Sequence, residues 1–425
     1  MIPQTIRANP HGWVVVFVSF LALSVISATR ASIGLVMPAL EADLGWTRGF
    51  VSTVAAWALV TMAVTAPFAG NMLDRYGPRI IFVVGLLVAG IGLCSSAVIQ
   101  ERWQYLLSFA LLAGIGYGTV AKSMVSATVG QYFERDRGLA AGIAAGGSTA
   151  GQLALLPLLA VVLTAMGWRY GYIFLGACCF ILIPVVWILI GDRKKRPAAR
   201  REPEETLAPL STRLRYLGGN RTFLLLLISY TICGFTTAGV IETHFVPYVQ
   251  TCGFPVVTSA TAYGFLAGFN LVGMFLSGYL TDRMHRPLLL GTIYAMRGMA
   301  FILLMLVPKF DVSFLLFFAA VFGLFDYSTI PVTTSLVATH LGRHVMGLSL
   351  GLLGMFHSGG AAVGAFMGGM LYDLFNRYDW IWLASIGLAF IAAIMAFCIV
   401  EKPQGENETA SPQVASPEAA PATAR

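Results

Sequence analysis

Five charged residues sit inside long apolar runs of this sequence, and theirs are the side chains best suited to chemistry. They are Arg30 in "SATRASIGLVMP", Lys122 in "GIGYGTVAKSMVS", Glu242 in "IETHFVPYVQ", Arg297 in "YAMRGMAF" and Asp326 in "GLFDYSTIP". A charge at the centre of an apolar helix costs roughly 2.5–3.5 kcal/mol, so such residues are functional candidates by default. A guanidinium can grip a carboxylate through two parallel N–H bonds, and an ammonium adds a point charge. A carboxylate held away from water can carry a proton through a cycle. These groups bind and carry a solute; they do not break bonds. No nucleophile–base constellation stands out, and the six cysteines and six histidines lack metal-ligand spacing. There is also no GxxxxGK[ST] phosphate loop. The expectation is a protein that is not an enzyme, with no catalytic residues, no metal and no cofactor, and without ATP-driven transport of its own.

Each candidate has a plainer alternative. Arg30 is the leading ligand for a substrate anion or a coupling residue; the alternative is a salt bridge to another helix. Lys122 supplies a second positive charge or snorkels along a wall. Arg297 reads better as a structural residue, paired or hydrogen-bonded to carbonyls. Asp326 and Glu242 are the proton-coupling candidates, against a structural ion pair for Asp326. His357 can titrate near neutral pH or pack as a core histidine. Tyr117, Asn270 and Tyr327 are hydrogen-bonding candidates for a cavity wall, with ordinary helix packing as the alternative for each.

The elements that must position these groups follow from composition. Of 425 residues 57% are hydrophobic and 11% charged, more apolar surface than a soluble fold can hide, so lipid is the solvent for much of the chain. Breaks at Gly, Pro and charge clusters leave twelve runs long enough to cross a bilayer: 12–40, 49–73, 79–100, 103–131, 138–166, 169–191, 221–250, 257–281, 287–308, 313–340, 345–373 and 378–400. Only helices satisfy every backbone group within one segment in lipid, so the class is an all-α membrane protein. With both termini cytoplasmic, seventeen Lys and Arg fall on the inner side, nine of them between 193 and 221. Five fall outside: Arg48, Arg102, Arg169, Lys309 and Arg377. That positive-inside bias sets the orientation in a cell (inner) membrane. It also explains the net charge of +7 without nucleic acid.

The chain divides into a six-helix bundle (1–191), a cytoplasmic linker (192–220) partly disordered around "RPAARREPEE", a second bundle (221–400) and a disordered cytoplasmic tail (401–425). The halves echo each other. "GNMLDRYGPR" at 70–79 returns as "GYLTDRMHRP" at 278–287, and Gly138, Gly142 and Gly151 map onto Gly347, Gly351 and Gly360. Matched devices in two halves suit a parallel-repeat transporter. The turn residues Gly70, Asp74, Arg75, Gly278, Asp282 and Arg283 are read as a gating latch made of reversible contacts; the alternative is a topology anchor. Gly138, Gly142 and Gly146 form a small-residue face for close helix contact.

The span count, the duplicated turns and the central linker together resemble the major facilitator superfamily along the whole chain. "GQYFERDRGLAAGIAAGGSTAG" at 130–151 resembles the fifth-helix signature of the monocarboxylate transporter and oxalate/formate exchanger branch, with "HGWVVVFVSF" a weaker echo of its first helix. The resemblance implies two pseudo-symmetric six-helix bundles around a cavity lined by spans one, four, seven and ten. It implies secondary active transport of a small organic anion, often by symport with a proton, in a monomer. The family's eighth-helix arginine is replaced by Met274, while Asn270 fits the bacterial pattern. Met274 keeps a second reading open: a larger neutral or weakly charged cargo, such as a vitamin-like heterocycle (riboflavin would fit) or an exported amphipathic compound.

Overall fold

The structure, a computed structural model, describes residues 9–133, 137–190, 209–341 and 343–401. Twelve helices among them are long and apolar enough to cross a membrane. In chain order they are α1 (Pro10–Leu44), α2 (Arg48–Tyr76), α3 (Pro78–Ser96), α4 (Arg102–Gly130), α5 (Arg137–Met166), α6 (Trp168–Leu189), α7 (Arg221–Thr251), α8 (Val256–Thr281), α9 (Arg286–Lys309), α10 (Val312–Leu341), α11 (Arg343–Phe375) and α12 (Asp379–Phe397). The described residues contain no strand.

Local chemistry sets the ends. Asn9, Thr47 and Asn220 cap α1, α2 and α7 with side-chain oxygens that accept from the amides of Gly12, Phe50 and Phe223. Hydropathy stops at Leu40, but α1 runs one more turn to Leu44, because only Gly45 takes the left-handed conformation, φ 65°, that ends it. The stretch read as a polar linker holds a short helix, Leu210–Gly219. Residues 191–208, with "RPAARREPEE", and the tail from 402 lie outside the described residues.

Four spans are not uniform α-helices; α9 ends in a 3₁₀ turn, Val307–Lys309, and three others are interrupted within. In α4, residues Leu106–Ala113 widen into a π-helix, and the helix breaks at Val120–Ala121 before resuming at Lys122. In α7, Phe235–Ile241 form a π-helix directly before Glu242. In α10 the helix stops at Asp326 and resumes at Thr329, where Pro331 lacks the N–H that continuity would use. The breaks are 327 − 120 = 207 residues apart, within one residue of the offset of the repeated turns.

The first six helices meet the last six along α2–α11 and α5–α8, with α1 against α7. At the end opposite both termini, here the far end, contact is tight. A Cβ on Gly34 of α1 would lie 2.7 Å from the Thr243 carbonyl of α7, and one on Gly369 of α11 would lie 2.7 Å from the Arg48 carbonyl of α2. Towards the terminal end the packing opens. On one face of α5, a Cβ on Gly146 would lie 3.5 Å from Leu271 of α8, while one on Gly142, a turn nearer the termini, would have nothing within 4 Å. Gly347 and Gly351 of α11 are equally free. The molecule is closed at the far end and parted at the terminal end.

Glu401 ties the last helix back to the start of α9. Its carboxylate accepts from Arg286 Nε at 2.6 Å and from the Arg286 backbone N–H at 3.2 Å, with His285 Nε2 at 3.3 Å. Partial burial alone would raise this carboxyl, but the Arg286 bonds outweigh it and hold Glu401 below the ordinary glutamate range. A depressed acid contributes stability at neutral pH that is lost as pH falls through its folded value. Glu401→Gln should therefore melt below wild type at neutral pH, and the gap should close in acid. Thermal unfolding in detergent across that range checks it.

Candidate functional site

Four interior side chains from four helices gather around one ion pair. Glu242 follows the π-helical turn of α7, and Arg30 of α1 meets it in a two-pronged pair, Nη1–Oε2 at 2.5 Å and Nη2–Oε1 at 3.0 Å. The Tyr327 hydroxyl, at the break in α10, donates to Oε1 at 3.1 Å. Lys122, first residue after the break in α4, lies with Nζ 3.9 Å from the centre of the Tyr327 ring. Arg30 and Glu242 are 16% and 8% exposed. The pair spans the two halves of the chain, and it closes the Arg30 side of a small void of about 10 Å³ reaching Ala55, Leu59 and Phe109. That volume suits at most one water.

Among the described residues Lys122 forms no ion pair, and its ammonium meets the face of Tyr327. Its ammonium is thus held by a ring quadrupole instead of a carboxylate. Arg30, by contrast, has both prongs occupied.

A second cluster lies beside the first, within the last six helices. Asn270 of α8 donates through Nδ2 to Asp326 Oδ2 at 3.2 Å. Asp326 Oδ1 and Asn270 Oδ1 are buried with no hydrogen bond among the described residues. Arg297 of α9 is fully buried and donates to the carbonyls of Phe325 and Asp326, the last residues before the α10 break. The carbonyl role expected of Arg297 is the one it fills.

The remaining candidates are more scattered. Half-buried His357 packs at a tilt against Tyr230 of α7 with ring centres 4.9 Å apart. Tyr117 is fully buried behind the cluster, edge-on to Phe109. Of the turn residues, Arg75 and Asp282 are exposed and make no ion pair among the described residues. Arg283 folds over Tyr279 and donates to its carbonyl. A Cβ on Gly70 or Gly278 would find its nearest neighbour, Met124 or Pro331, at 3.8 or 3.9 Å, and the side chain of Asp74 lies outside those described. These turns stand apart at the parted end.

Further contacts join the halves at the far end, on residues not singled out from sequence as site residues. Arg48, 6% exposed, donates to the Tyr378 hydroxyl at 3.1 Å, stacks 3.9 Å from the centre of Tyr372, and pairs with Glu41 at 3.0 Å. Beside it the Gly49 amide donates to Asp373 Oδ2 at 2.9 Å. The signal was the aromatic and acidic run "LYDLFNRYDW" across the end of α11 and the start of α12, facing a lone arginine at the start of α2.

This architecture has known counterparts. A family model described as Major Facilitator Superfamily matches residues 13–313 and 295–423. The chain belongs to the major facilitator superfamily. This facilitator is 23% identical to the uncharacterized MFS-type transporter YcxA of Bacillus subtilis, over 93% of its own length and 98% of the relative's. It is 29% identical to human monocarboxylate transporter 11 over 85% and 77% of the two chains. The rat monocarboxylate transporter 13 is 25% identical over 86% and 84%. Among solved structures, the inward-open xylose transporter XylE of E. coli superposes with a TM-score of 0.73 at 15% identity, over 92% of this chain and 97% of that one. A bacterial homolog of the lysosomal transporter Spinster, inward-facing and occupied, gives the same score over 90% and 95%. The facilitator is a multi-pass membrane transporter and not an enzyme.

Proposed function

We propose that this facilitator is a secondary active transporter that carries a small organic anion, a carboxylate, with a proton by alternating access to the Arg30–Glu242–Tyr327–Lys122 cluster. The observation that carries the reading is the charge balance there. Arg30, Lys122 and Arg297 set three positive charges against the carboxylates of Glu242 and Asp326; among the described residues only Arg30 forms an ion pair there, while Arg297 is taken up by backbone carbonyls and Lys122 faces only the Tyr327 ring. A solute carboxylate completes that balance. It can also displace Glu242 from Arg30, and so release the bridge between halves that must separate for access to alternate. The free oxygen of Asp326 is a seat for the proton. The names of the relatives, monocarboxylate transporters among them, support the solute class.

The bundles 1–191 and 221–400 rock about this site as units, joined by 192–220. The positive-inside bias puts the parted terminal end in the cytoplasm of a cell (inner) membrane, with both termini there. The unit is a monomer. A second reading has one observation in its favour: Met274 stands where the resembled branch has arginine, and Arg30 is already occupied, which suits a neutral heterocycle or an exported amphipath.

Proteoliposomes with an imposed acid-outside gradient decide between them. A radiolabelled carboxylate should accumulate and be released by a protonophore. Transport of a neutral vitamin with no carboxylate flux would overturn the first reading in favour of the second. Asp326→Asn should abolish uphill accumulation while leaving carboxylate exchange; unchanged proton-driven accumulation would exclude Asp326 as the proton carrier.

A further inference from the structure

We infer that Arg297, on a helix outside the four that form the cluster, is the positioning residue that holds Asp326 and Tyr327 in place by bracing the break in α10. Its guanidinium does three things at once. Nη2 donates to the carbonyls of Phe325 and Asp326, which end the first piece of α10. Nη1 lies 3.1 Å from Cys233 Sγ of α7. That thiol lies 3.6 Å from Thr329 Oγ1, the first residue of the second piece. The break is therefore gripped on both sides through one fully buried side chain that reaches from α9 to α7 and α10.

The chemistry explains why arginine stands here. The end of a helix carries partial negative charge on its last carbonyls, and a cation there is favourable. A planar fork can serve two carbonyls and a thiol together; an ammonium, with one nitrogen, cannot hold the same three directions. Asp326 and Tyr327 are the two residues at the break, so their side chains go where this backbone is held. Tyr327 then fixes the direction of the Glu242 carboxylate and the face offered to Lys122. The inference rests on the reading of this cluster as the transport site, but its first test does not use a solute.

The test compares Arg297→Lys with wild type in detergent. Hydrogen exchange at residues 327–330 should rise about 10-fold while other helices keep their protection. In proteoliposomes KM for the carboxylate should rise about 10-fold with Vmax per folded protein nearly unchanged. Cys233→Ala, which removes one of the three contacts and keeps the charge, should show the same pattern at about 2–3-fold and serves if Arg297→Lys does not fold. Wild-type exchange at 327–330 in both variants would overturn the inference. So would exchange raised evenly across the twelve helices, or a local rise with KM unchanged. A local rise with no carboxylate flux even in wild type would overturn the assigned cargo and leave the brace standing.

Discussion

Arg30→Gln is expected to lower carboxylate uptake about 100-fold, the size of effect seen when a buried charge partner at a working site is removed. The loss has two parts, and they can be separated. Glu242 accepts two bonds from Arg30 and one from Tyr327. Removing the guanidinium leaves a buried carboxylate without its counter-charge, a destabilisation of about 3–5 kcal/mol. Replacing both members by neutral groups of similar shape avoids that penalty, because no charge is left unpaired. Arg30→Gln combined with Glu242→Gln should therefore recover most of the thermal stability lost in the single variant, since two amides can hydrogen-bond to each other. Uptake should not recover, because the fork that binds the solute is gone. Thermal unfolding and proteoliposome flux on the four proteins of this cycle give the coupling directly. Recovery of uptake in the double variant would mean that Arg30 serves only the fold.

The positions of the helices were legible in the sequence because lipid imposes a length, and each apolar run shows it. The spans drawn at 12–40 and 378–400 became Pro10–Leu44 and Asp379–Phe397, with errors where polar residues continue a helix or apolar ones follow its end. The interior charges were legible for the same reason: Arg30, Lys122, Glu242 and Asp326 stand out against an apolar background. Their partners were not. Arg30 and Glu242 are 212 residues apart, and hydropathy carries no information about which charge meets which. The breaks in α4 and α10 were missed because the runs remain apolar through them; Pro331 and the repeat between the halves were the available signs. Arg48 was hidden by its place in the chain. It counts as an outside loop charge in any tally of orientation, while its burial under Tyr372 and Tyr378 depends on a helix more than 300 residues away.

That far-end seal yields the other large effect, and the sterics decide its sign. Gly369 lets α11 lie directly on α2, and a side chain there would strike the Arg48 carbonyl and the Ser52 side chain. A backbone carbonyl cannot swing aside as a flexible side-chain end can, so Gly369→Leu should force α2 and α11 apart at the far end. Arg48→Ala with Asp373→Asn loosens the same seal more gently, by removing the Tyr378 bond, the ring contact and a full-charge acceptor for the Gly49 amide. A cysteine placed at Ala55, which lines the void beside Arg30, reports access from that end. With the native cysteines replaced, its labelling from the far side should quicken about 10-fold in the charge variant, and more in Gly369→Leu, if the closed form is favoured by a few kcal/mol. Transport should fall about 100-fold in Gly369→Leu, because a carrier that cannot close one end cannot complete a cycle. Gly351 gives the mirror test. It has open space in this conformation, so Gly351→Leu is compatible with the far-end-closed state while filling room that the terminal end needs to shut. Its labelling at residue 55 should drop to background as turnover stops. If both glycine variants labelled alike, the two ends would not be alternating, and the seal at Arg48 would be packing alone.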